Sequence, residues 1–256
     1  MQQELARWQE RLVADGFVLL RAFCARDFVA RVAAIARHRA DEVLAALGDR
    51  EIGIGSAAGY AELVQRSPGR WDVPVTPAEF GIDDHELPWW PLVAAVLGSD
   101  AEHSFSGVVF SDPGSPAQCW HIDSPHLAGE HLPPHALNVL VALHDIPLEM
   151  GPTECARGSH RLTNHLRNSS LVRNELIYQT ERTSPALLVA ATDEPLPPRS
   201  VEPMAAGSCL VFDDRLLHRG LANRSAQTRH VAYFSYRRNG YGENTHFESA
   251  RSLFDG

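Results

Sequence analysis

The chain has 256 residues, 44% of them hydrophobic, and a formal net charge of −9 at pH 7. A chain of this size buries a sizeable core, and its acidic balance argues against a broad binding face for nucleic acid or anionic lipid. Its 23 basic residues are all arginine, which excludes a Schiff-base lysine, a Walker lysine and a Ser-Lys dyad.

Residues 1–15 carry Leu5, Trp8, Leu12 and Val13 at helical spacing, and Gly16 ends the pattern. "FVLLRAF" then reads as a short buried strand. The alanine-rich run from Asp27 to Leu47 is the longest helix signal and stops at Gly48. Residues 48–88, rich in Gly and Pro, read as loops with short elements, and "WWPLVAAVLG" as another short helix. "GIGSAAG" (53–59) has the wrong glycine spacing for a dinucleotide loop. From about residue 103 the runs "HSFSGVVFSD", "AQCWHID", "ALNVLVALHDI", "SCLVFDD" and "RHVAYFSYRR" are short, apolar and separated mostly by turn residues, as in a β barrel or sandwich. The insert 160–200 is polar and partly helical. The expectation is one domain over 1–256, with helical support and lid in 1–100 and a β core in 101–240. Cys24, Cys119, Cys155 and Cys209 lie far apart and form no C-x-x-C, and no run is long enough to span a membrane. A reducing cytoplasm is the expected compartment.

The chemistry concentrates in "CWHIDSPH" (119–126). His121 and Asp123, two apart on an extended strand, point to the same side and can bite one metal ion together. With 13 His and 15 Asp in the chain, chance alone supplies about one such pair, so the match needs a third ligand and an anchor. His218, after the strand and turn "GSCLVFDDRLL", is the candidate third ligand, read otherwise as a turn residue bonded to backbone. Arg229, eleven residues on, opens the next apolar run. Two imidazoles and a carboxylate on one face of a metal leave three positions open, as in non-haem Fe(II) oxygenases. An arginine fork suits the far end of a dicarboxylate.

The ordered set resembles the phytanoyl-CoA dioxygenase family of Fe(II)/2-oxoglutarate-dependent oxygenases: His121-Ile122-Asp123, "ARGSH" (156–160), "AGSCLVFDDRLLHRG" (206–220), Arg229, and the early "ADGFVLLRAF". Two departures are mild: Arg157 stands where relatives often have Pro, and Asn138 where many have Gln. The resemblance implies a mainly β fold with flanking helices, a double-stranded β-helix (jelly roll, cupin-like) core behind an N-terminal helical layer. It implies His121, Asp123 and His218 as iron ligands and Arg229 as the anchor of 2-oxoglutarate. Fe(II), 2-oxoglutarate and O2 would act together, releasing succinate and CO2 while a C–H bond of a small organic substrate is oxidised. Related halogenases replace the carboxylate ligand with a small residue; the presence of Asp123 argues for hydroxylation or another oxidative outcome over halogenation. The same cofactors serve desaturation and cyclisation, and a silent jelly-roll protein would keep the same metal face.

Other residues carry two readings each. Asn138 either touches the co-substrate or bonds within the barrel. Arg66 and Arg70, in "RSPGRW", either pair with a substrate carboxylate in a lid or form a surface turn. His126 either faces the pocket or, like His131 and His135, is a loop histidine. Trp89 and Trp90 read as packing, and Cys119 as a barrel-filling residue.

Overall fold

The computed structural model describes residues 2–123, 133–161, 198–241, 249 and 251–255. The insert expected at 160–200 lies almost wholly outside them, as do His126 and His131.

Helix α1 (Gln2–Asp15) precedes β1 (Phe17–Leu20), with Gly16 between them at φ 81. Leu5, Trp8 and Leu12 turn inward, spaced three and four apart, whereas Val13 is 60% exposed. The apolar count at the sequence level included Val13, but at 100° per residue it falls beside the buried stripe. Helix α2 (Arg26–Leu47) buries Val29, Val32, Ala33, Ala36, Ala40, Val43 and Leu47, one continuous face, and ends at Gly48 with φ 54. It is the support for a seven-stranded antiparallel sheet.

That sheet runs in the order β1, β8 (Cys209–Asp213), β5 (Ala136–Ala142), β10 (Arg229–Arg237), β4 (Glu102–Ser111), β3 (Arg70–Pro74), β2 (Val64–Ser67). A second sheet has the order β7 (Arg199–Ser200), β6 (Thr153–Ala156), β9 (His218–Gly220). Period-2 alternation divides the large sheet cleanly. Val18, Val139, Val141, Val211, Ala232 and Phe234 join the helices in one core. Phe17, Ala142, Leu210, Phe212 and Val231 face the other way and pack with Cys155 of the small sheet. This is the two-layer jelly roll with helices against its larger face, the fold expected.

Two differences matter for the site. Besides the expected strand β1, residues 48–88 supply two more strands to the large sheet, β2 and β3. And "AQCWHID" forms no extended strand; it meets β9 of the small sheet through an isolated bridge, His121 to His218, and through Gln118, whose N–H donates to the Gly220 carbonyl (2.9 Å). No helix among the described residues is long and apolar enough to cross a membrane.

Candidate metal centre and arginine floor

The bridge brings the expected ligands together. His121 N–H donates to the His218 carbonyl (3.1 Å) and His218 N–H to the His121 carbonyl (3.0 Å). Two residues on, Asp123 N–H donates to the Asp214 carbonyl (2.8 Å). The segment 121–123 is thus zipped antiparallel to 214–218, and all three side chains emerge on one side. A ligand atom from each of His121, Asp123 and His218 lies within 4.8 Å of the others. Asp123 Oδ1 is 3.9 Å from His121 Nε2 and 3.7 Å from His218 Nε2.

Both imidazoles are set to ligate through Nε2. Nδ1 of His121 lies 2.9 Å from the Cys119 carbonyl, and Nδ1 of His218 lies 2.9 Å from the Leu216 carbonyl. A carbonyl can only accept, so Nδ1 carries the proton and Nε2 keeps a lone pair. Burial, reinforced by His218, pushes His121 down to about 4, and burial alone does the same to His218. Both rings are therefore neutral at pH 7, the state a metal requires. Cys119 is buried behind them.

Arg229 opens β10 on the barrel side of the large sheet, opposite Ser111 of β4, and Ser111 is in turn opposite Arg70 of β3. The guanidinium of Arg229 donates through Nη1 to the Gly151 carbonyl and through Nη2 to Ser111 Oγ (2.9 Å). Burial lowers it to about 10, so it remains charged at neutral pH. The Asp213 carboxylate instead holds Arg215, at 2.6 Å.

Arg70 corrects the sequence reading. It sits neither in a lid nor in a surface turn: it is 1% exposed, and Nη2 donates to the carbonyls of Leu221 (3.1 Å) and Pro116. Its Nε and Nη1, and Nε of Arg229, have no hydrogen-bond partner among the described residues. Burial and the neighbouring Arg229 lower its pKa well below the ordinary arginine value. The guanidinium lies flat against Gly220, where any Cβ would collide with it. Two buried guanidinium groups side by side, with donors unspent and no carboxylate on them among the described residues, are costly to fold. An anion placed between them relieves that cost. Arg66 bonds Asp72 at 2.8 Å instead. A signal for Arg70 did exist: Pro68-Gly69 between "VQRS" and "RWDVP" is a hairpin turn, with Gly69 at φ 65.

Asn138 donates through Nδ2 to Asp123 Oδ2 at 2.6 Å and accepts from Ser235 Oγ. Trp89 is fully buried and donates to Tyr236 Oη, a packing role. His135 is buried, stacked on Tyr241 and 3.1 Å from Asp214. The donor set fits a divalent transition metal: two neutral imidazoles and one carboxylate whose ligand atoms lie together.

The family model described as Phytanoyl-CoA dioxygenase (PhyH) matches residues 12–231. Among solved structures, the chain is similar to the epimerase SnoN in complex with Fe3+, alpha ketoglutarate and nogalamycin RO, at 22% identity and a TM-score of 0.63, over 93% of this chain and 84% of that one. It is similar to the alpha ketoglutarate dependent carbocyclase SnoK from nogalamycin biosynthesis at 21% identity and a TM-score of 0.61, with the same coverage. AviO1 from Streptomyces viridochromogenes Tue57 matches at 18% identity and a TM-score of 0.60, over 94% of this chain and 97% of that one. At these identities the neighbours establish the fold.

Proposed function

This chain belongs to the phytanoyl-CoA dioxygenase family, and on that premise we propose that it is an Fe(II)- and 2-oxoglutarate-dependent oxygenase that hydroxylates a C–H bond of a small organic molecule. Iron, when bound with 2-oxoglutarate and O2, supplies the oxidising chemistry; the rest is geometry and charge supplied by this chain. His121, Asp123 and His218 would hold the metal. Arg229, with Ser111 beside it, would take the distal carboxylate of 2-oxoglutarate. Arg70 would close on the same carboxylate from the other side of Ser111, with the donors it leaves unspent. The observation that carries this reading is the pairing of a two-His, one-Asp face, its imidazoles neutral, with two buried guanidinium groups in one barrel. Such a site matches a ligand that chelates a metal at one end and ends in a carboxylate at the other.

The names of the neighbours, an epimerase and a carbocyclase, mark outcomes in which the substrate is rearranged without gaining oxygen. Hydroxylation is separated from these by turnover under labelled O2, since only a hydroxylated product carries the label. The site itself is tested without substrate. Metal-free protein receives Fe(II) and then 2-oxoglutarate under anaerobic conditions, and the visible metal-to-ligand charge-transfer band is followed. Wild type is expected to show the band, with Asp123→Ala and Arg229→Ala losing most of it. No band in wild type at saturating iron and 2-oxoglutarate overturns the proposal.

A further inference from the structure

The hydrogen bonds of Asp123 divide its two oxygens. Oδ1 faces both Nε2 atoms, at 3.7 and 3.9 Å. Oδ2 is taken by the amide of Asn138 at 2.6 Å. Asn138 stands on β5 directly opposite Ser235 of β10, both buried on the barrel side of the sheet. Ser235 Oγ donates to Asn138 Oδ1. With its oxygen engaged by that hydroxyl, the amide can only present its NH2 to the carboxylate; turned over, it would set oxygen against oxygen.

We propose that Asn138, oriented by Ser235, is a positioning residue that keeps Asp123 a one-oxygen ligand and so fixes how many metal positions stay open. This rests on the metal-site reading above. Two imidazoles and one carboxylate oxygen leave three positions. A co-substrate that chelates would use two of them and leave one for O2. A carboxylate free to bind through both oxygens would occupy that last position. Asn138 is thus spent on the ligand and not on the co-substrate.

The probe is Mn(II) added to the metal-free protein, whose EPR line broadening in 17O-enriched water counts the waters on the metal. Wild type is expected to carry three waters. Asn138→Leu, similar in size but without a donor, is expected to bind Mn(II) about 10- to 100-fold more weakly, as loss of a ligand-orienting partner does. Its water count should fall to two. Asn138→Gln keeps an amide donor and should restore the third water. Ser235→Ala keeps Asn138 and should cost only about threefold in affinity, a partial loss on the same scale. Asn138→Leu with wild-type affinity and three waters overturns the inference while leaving the metal site standing. A wild type that does not bind Mn(II) at all overturns the metal-site reading itself, and this inference with it. Should Asn138→Leu fail to give a cooperative thermal transition, Ser235→Ala decides alone: unchanged affinity overturns the proposal.

Discussion

The two ends of the barrel site solve opposite problems. The metal face, on the small sheet, carries two neutral imidazoles and is internally satisfied: each imidazole spends its N–H on a carbonyl two residues before it, and Asp123 is held by Asn138. The floor, on the large sheet, is charged and unsatisfied: Arg70 and Arg229 lie buried with unspent donors. One region is stable as it stands and gains a cation; the other is strained electrostatically until an anion arrives. The difference predicts that adding charge to the metal face lowers stability, whereas removing charge from the floor raises it.

The largest expected effect is on the metal face. His121 and His218 are held at about 4 in the folded chain against an ordinary value of 6.5. Between those values the unfolded chain binds more protons, so stability is full above about pH 6.5 and declines as pH falls toward 4. Linkage limits the loss to about 3 kcal/mol per imidazole. Urea unfolding of metal-free protein at pH 7 and pH 4.5 measures it; equal midpoints would mean that the rings are not held neutral.

On the charged floor the sign reverses. Arg70→Met removes a buried cation that has no carboxylate partner among the described residues. Metal-free protein without 2-oxoglutarate should then gain about 1 kcal/mol, or about 2–4 °C in Tm. The same variant should raise the KM for 2-oxoglutarate about 10- to 100-fold, the worth of a charge-assisted hydrogen bond. A variant less stable than wild type would show that Arg70 is structural and not an anion trap. The mildest test is Gly220→Ala, whose methyl displaces the Arg70 guanidinium. Its 2-oxoglutarate KM should rise up to about tenfold on the same scale, with Mn(II) affinity unchanged. If metal binding falls instead, the two ends are not separable.

The sequence exposed the metal face far better than the charged floor, for a physical reason. His121, Asp123 and His218 belong to short local patterns, and the apolar runs on either side of them are readable by alternation. The fold class followed from the same runs and from the long α2 pattern. Arg70 acquires meaning only through the register β3–β4–β10, which sets Arg70, Ser111 and Arg229 in a row. Cross-strand register leaves no trace in local spacing, and the glycine- and proline-rich stretch around β2 and β3 hid two strands. Asn138 carried two readings, because its partners, Asp123 and Ser235, lie 15 and 97 residues away, outside any local spacing pattern.

The bridge between His121 and His218 is a single rung between segments remote in sequence. A metal gripped by both residues would act as a reversible cross-link, closing a loop of roughly a hundred residues and shrinking the freedom of the unfolded chain much as a long-range disulfide does. Loading the metal should therefore slow amide exchange along 214–220 and in neighbouring β6, making the cofactor a fastener of the small sheet as well as a reagent.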